Sequence, residues 1–130
     1  MKAIRPNSLE AVMFFALYIC AQDKKIAKEE RQELILDIQV LRHLYFDIYG
    51  EYIDDDFKEI IESIHINEKT LNSFISETVG ENEKNYFDKI LTDSKLQDIA
   101  ILAARHSASA DGFHKLEKAK FNYWLQYWGL

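Results

Sequence analysis

The sequence predicts an all-α protein: a single-domain helical bundle spanning residues 1–130, with about six to eight helices arranged as two related helix-pair halves. Three observations predict it. One proline, Pro6, and four glycines are too few for the tight turns that an all-β fold needs. Apolar residues recur at helical spacing along most of the chain, and no stretch alternates with period two. At 130 residues and 48% apolar content, the chain is long enough to bury a core and too apolar for disorder.

The first helix is expected to start at Asn7 or Ser8, polar N-cap residues just after Pro6, and to run to about Gln22. Its apolar run from Ala11 to Ala21 has no polar face, which predicts burial on nearly all sides. Lys2 and Arg5 ahead of this run give it the outline of a signal peptide, but Glu10 interrupts the approach. The run is also far short of the roughly 20 residues that cross a bilayer, so a central core helix in a cytoplasmic protein is the expectation. Cys20 has no second cysteine to pair with and is expected to be a buried, inert thiol.

After the polar segment Asp23–Lys28, a second helix opens on Glu29 and Glu30. Leu34, Ile35, Ile38, Leu41, Leu44 and Tyr45 carry it, and Gly50 ends it. Asp54–Asp56 lead into a helix with Phe57, Ile60, Ile61 and Ile64 on one face. Asn67 is expected to cap another, containing Leu71, Phe74, Ile75 and Val79 and stopped by Gly80. A helix from Asn82 to Leu91 follows, with Tyr86, Phe87 and Ile90 inward. Asp93 or Ser94 caps an Ala-, Leu- and Ile-rich helix from Leu96 to about Ala110. The last helix, from Leu116, places Phe121, Trp124, Leu125 and Trp128 on one stripe.

The net charge of −6 disfavours nucleic acid and anionic membrane as partners. There is no glycine-rich phosphate loop, Gly-x-Ser-x-Gly elbow or Cys/His ligand spacing, so the chain reads as a non-enzyme without structural zinc. The ends of the chain share a plan. In "AQDKKIAKEE", Glu29 lies six residues after Asp23; in "SADGFHKLEK", Glu117 lies six residues after Asp111. Each corner joins an apolar helix to an amphipathic helix that opens on Glu.

These corners resemble the TerB-like (tellurite-resistance) family, in which an apolar helix ends in Ala-Asp-Gly before a Glu-led helix. The matching positions are Asp23, Ile26, Glu29 and Glu30, and Ala110, Asp111, Gly112 and Glu117. The sequence departs from that pattern with Gln22 for the first Ala, Lys24 for the first Gly, and a second corner one residue shorter. The resemblance implies a two-repeat helical bundle acting in a stress response, or as a module beside J-domains. It also implies a divalent cation (Ca, Mg, Mn or Zn) held by Asp23, Glu29, Glu30, Asp111 and Glu117.

Hard cations take several oxygen ligands from flexible loops, which such corners offer. Acids at helix starts are equally the residues that cap helices and complement the helix dipole. His106 and His114 flank the second corner and read as exposed turn residues. The alternative to an ion-binding module is a metal-free scaffold that binds a protein partner. Two surfaces suit it: the run from Asp47 to Glu68, with eight acids and only Lys58 against them, and the aromatic C-terminus "FNYWLQYWGL".

Overall fold

The computed structural model describes residues 4–20, 22, 38–51, 57–76, 78–110 and 115–130. Among them the chain is all-helical, with seven helices and no strand. They are α1 (Leu9–Cys20), α2 (Ile38–Tyr49), α3 (Phe57–Ile66), α4 (Glu68–Ser73), α5 (Glu81–Ile90), α6 (Ser94–Ala110) and α7 (Lys115–Tyr127).

Helix α1 is the axis of the bundle. Every residue from Leu9 to Ile19 is buried, as its unbroken apolarity predicts. Its most extensive partner is α6, and it also touches α2, α3, α4 and α7. The two apolar helices of the two similar sequence halves therefore pack against each other. Around α1 lies an aromatic cluster. Phe15 meets Trp128 at 5.0 Å between ring centroids, Tyr18 meets Phe87 at 4.6 Å, and Phe87 meets Trp124 at 5.4 Å, edge to face. Each such ring contributes about 1.5–3 kcal/mol through burial alone, so this cluster is the main anchor of α5 and α7.

Helix ends follow local chemistry where side chains are free to act locally. The Ala11 amide donates to Ser8 Oγ, so Ser8 is the N-cap of α1. Asn7, the other candidate cap, is a cross-chain clip at φ +52°. Its Oδ1 accepts from the amides of Thr92 and Asp93, and its Nδ2 donates to Thr92 Oγ1. Gly50 ends α2 at φ +73°, a conformation that glycine adopts without steric cost. Asp93 starts α6, its Oδ1 accepting from the Lys95 amide.

Other expectations are corrected by the structure. Asn67 makes no N-cap bond; its Nδ2 donates back to the Ser63 carbonyl and closes the end of α3. Helix α4 stops at Ser73, so Phe74, Ile75 and Val79 lie beyond it. The amides of Phe74 and Ile75 bond three residues back, to Leu71 and Asn72, which tightens and ends the helix. Leaving the helix frees the Phe74 carbonyl, which accepts from the Lys120 ammonium at 3.1 Å. Helix α1 ends two residues before the expected Gln22, whose side chain is buried and donates to the Tyr18 carbonyl. Cys20 is half-buried at the core edge rather than enclosed.

Candidate functional site

Of the five corner acids, Asp23, Glu29, Glu30 and Asp111 lie outside the described residues. Glu117 is described. It stands in the first turn of α7 and is 3% exposed, an unusual depth for a carboxylate. Its oxygens are of the type a hard cation takes, so this donor fits the implied metal in kind. Among the described residues, no group of three or more His, Cys, Asp or Glu side chains is arranged around a common point. His106 is exposed on α6, as expected, and His114 lies outside the described residues. His65 has a weak surface neighbour in Glu68, with 3.9 Å between Nδ1 and Oε2.

The most elaborate polar arrangement is one the corners do not include. Lys120, from α7, is sunk against α1 and ion-paired with Glu83 of α5. Its ammonium also donates to Phe74 O at 3.1 Å and to Ser76 Oγ at 3.3 Å, and it stands 5.4 Å from the Tyr18 ring centroid. Glu83 Oε2 also accepts a hydrogen bond from the Tyr18 hydroxyl, and its Oε1 accepts from the Gly80 amide at 3.2 Å, closing the start of α5. The Trp124 indole donates to the Tyr18 hydroxyl oxygen at 3.0 Å. Gln22 completes the set, its Oε1 accepting from the Ser76 amide at 3.3 Å.

This network ties α1, the segment after α4, α5 and α7 together at one point. Burial, reinforced by the hydrogen bond to Glu83, pushes the Tyr18 phenol far above the usual tyrosine range. A lysine, a glutamate and a tyrosine in contact have the makings of acid–base chemistry. Here all three are buried, and with Phe74, Ser76, Gly80 and Trp124 they form one hydrogen-bonded network that joins α1, α5 and α7.

The sequence carried a signal for this pair. Glu83 shares the inward phase of Tyr86, Phe87 and Ile90, and Lys120 shares that of Glu117 and Trp124. A charge on the apolar phase of an amphipathic helix marks a buried ion pair, but not its partner.

The two surfaces expected to bind partners differ. At the C-terminus, Tyr127 is engaged within the chain: its hydroxyl donates to Asp88 Oδ2 at 3.2 Å, and the Lys84 ammonium stands 5.0 Å from its ring centroid. Tyr123 is half-buried and stacks on Tyr127 at 6.0 Å. Much of the aromatic face is thus spent on α5.

Helix α2 is the more open element. Val40 is 64% exposed, Ile48 46% and Phe46 38%, while Leu41 and Tyr45 on the inner side are buried. The inner side is pinned to α6: Tyr49 donates to Asp98 Oδ2 at 3.0 Å, and Lys95 reaches Glu51 at 3.5 Å. Tyr45, donating to Glu51 at 2.9 Å, is pushed up to about 12 by burial and then by that carboxylate. In the acidic run, Asp47, Glu51 and Glu62 are exposed and Glu68 is half-buried; Asp54–Asp56 lie outside the described residues.

Comparison with protein-family models, with curated proteins and with solved structures returned no match. No helix among the described residues is long and apolar enough to cross a membrane.

Proposed function

We propose that the chain is a non-catalytic helical binding module, in the cytoplasmic stress-response setting of tellurite-resistance type that its TerB-like corners imply. The observation that carries this reading is helix α2, on which the large apolar side chains Val40, Phe46 and Ile48 are exposed although Leu41 and Tyr45 anchor the helix to the core. Large apolar side chains grouped on one exposed element are a mark of interaction surfaces. The polar groups best suited to chemistry are consumed by one another inside the bundle.

A photo-crosslinking amino acid placed at Val40 or Ile48 is expected to give adducts in cells. The same group at Asn122, exposed on α7, serves as the control. Adduct yields at residues 40 and 48 no greater than at residue 122 would overturn the reading.

A second reading has its own observation. Glu117 is a buried carboxylate that opens α7 directly after the Asp111 corner. Its oxygens are of the kind a hard cation takes, and the TerB-like corners imply a divalent ion that Glu117 would hold with Asp23, Glu29, Glu30 and Asp111. Calorimetric titration of chelator-treated protein with Ca²⁺, Mg²⁺, Mn²⁺ and Zn²⁺ tests it. Saturable heat that is lost in Asp111→Ala supports the ion; no heat and no thermal shift with any of the four removes it.

A further inference from the structure

We propose that the outer face of α7, at the end nearest the second corner, binds an acidic segment of a partner protein. The proposal goes beyond the α2 reading, since it concerns a different helix and a charged ligand rather than an apolar one. On α7, Lys115, Lys118, Ala119, Asn122 and Gln126 are exposed, while Glu117, Lys120, Phe121 and Trp124 are buried. At a helical advance of about 100° per residue, each set falls within about 100° of the helix circumference, on nearly opposite sides. The outer face therefore carries two cations and no acid, because the carboxylate of the helix, Glu117, is turned inward. A third cation comes from α6. The exposed Arg105 holds its guanidinium 5.4 Å from the Phe121 ring centroid. Phe121 lies one turn after Lys118, so Arg105 and Lys118 flank the same edge of α7.

These cations differ from most others of the chain in having no counter-charge. Lys84 pairs with Asp88, Lys95 with Glu51, Lys120 with Glu83 and Arg5 with Glu10. Lys115, Lys118 and Arg105 have no ion-pair partner among the described residues. Like charges gathered on one edge repel one another, and a ligand bearing carboxylates relieves that repulsion. The net charge of −6 does not cancel the local field, because exposed charges more than about 10 Å away are largely screened at 0.1 M salt. Lys115 and Lys118 lie one turn apart, which suits carboxylates recurring every three or four residues on a partner segment. A second copy of this chain fits poorly: among the described residues, exposed acids stand one to a helix, at Asp47, Glu62 and Glu81. Nucleic acid fits poorly as well, since the exposed side chains of this face include no aromatic ring to stack a base.

The experiment uses the full chain and a fluorescent synthetic helix with glutamate on one face and alanine on the other. A matched lysine/alanine peptide is the control, and binding is read by anisotropy at low and high salt. The glutamate peptide is expected to saturate, more tightly at low salt, and the lysine peptide to bind at least about tenfold more weakly. Lys115→Glu/Lys118→Glu should weaken the glutamate peptide at least about tenfold, and Lys115→Ala/Lys118→Ala about threefold. Lys69→Glu/Lys89→Glu makes the same change in net charge at exposed lysines of α4 and α5 and should alter binding less than about twofold. All four lysines are exposed, so the variants should share the wild-type thermal unfolding curve.

Equal weakening by the two glutamate double variants would reduce the binding to general attraction and overturn the proposal. The absence of saturable binding at low salt would overturn it as well. So would a single-stranded oligonucleotide binding as tightly as the glutamate peptide, which would make nucleic acid the ligand. Sedimentation showing a wild-type dimer that Lys115→Glu/Lys118→Glu disperses would make the occupant a second copy, with the same consequence. Asn122 lies one turn after Lys118, so the crosslinking control at that residue is run in the Lys115→Glu/Lys118→Glu variant. The α2 reading then stands or falls on residues 40 and 48 alone, and failure of either proposal is told apart from failure of the other.

Discussion

Replacing Lys120 with methionine tests the reasoning most directly. The methionine fills nearly the same volume, so packing is largely preserved and the change is electrostatic. The substitution removes the cation from Glu83 and the donor from both Phe74 O and Ser76 Oγ. Glu83 keeps only the Tyr18 hydroxyl and the Gly80 amide, and it remains shut away from water. Removing one partner of a buried pair costs about 3–5 kcal/mol, a large share of the roughly 5–15 kcal/mol that holds such a domain folded.

Urea unfolding followed by tryptophan fluorescence suits the measurement, since the Trp124 indole is bonded to Tyr18 within the same network. With a slope of about 2 kcal/mol per molar, the midpoint should fall by about 2 M. The double variant Glu83→Gln/Lys120→Met removes the stranded charge along with its cation. It should therefore be more stable than Lys120→Met alone by at least about 1 kcal/mol. A loss below about 1 kcal/mol for Lys120→Met, or losses that simply add in the double variant, would refute the buried-pair account.

Three further outcomes are expected. Asn7→Ala loses the clip to Thr92 and Asp93 and places a side chain that dislikes positive φ at +52°, so it should cost about 1–2 kcal/mol in thermal unfolding. Asn7→Gly should cost less, because it keeps the backbone conformation. Ser63→Ala should leave stability unchanged or raise it by up to about 1 kcal/mol, because the Ser63 hydroxyl is fully buried and its oxygen has no hydrogen-bond partner among the described residues. Burial, aided by the Glu10 carboxylate, raises the Tyr86 phenol from 10.0 to about 12. A phenol that holds its proton more tightly when folded contributes stability below the unfolded value and loses it as pH rises through the folded one. Denaturant midpoints should therefore fall from about pH 10 to about pH 12, and Tyr86→Phe should make that decline shallower.

Much of the fold was legible from local pattern. Leu9–Cys20 could be read as the central helix because a helix with no polar face has to be surrounded. Gly50 and Asp93 mark helix ends because their effects act within a turn of themselves. Asn67 was misread because its amide can bond backwards as well as forwards, here to the Ser63 carbonyl four residues earlier. Of the two cap candidates at the start of α1, Ser8 takes the cap and Asn7 instead clips a loop 85 residues away, which no local pattern reveals. The length of α4 was overestimated because the apolar spacing of Phe74, Ile75 and Val79 continues after the chain has left the helix. Their burial is satisfied by a turn, and the turn serves Lys120. At the candidate ion site only Glu117 is placed; its phase with Lys120 and Trp124 marks it as inward, but spacing does not say what it meets.

By itself, the sequence determined that this protein is helical, which helix lies at its centre, and that its surface is acidic. Those properties follow from periodicity, from a shortage of Pro and Gly, and from counting charge. The tertiary structure alone decided that Glu83 meets Lys120 across 37 residues of chain and that Tyr18 and Trp124 close around them. It also decided that Val40 and Ile48 face solvent while Leu41 and Tyr45 do not. An amphipathic helix announces that it has an inner face, but which apolar residues are covered depends on the shape of the neighbouring helices. A buried charge likewise announces that it needs a partner, and only the packing of distant segments supplies one.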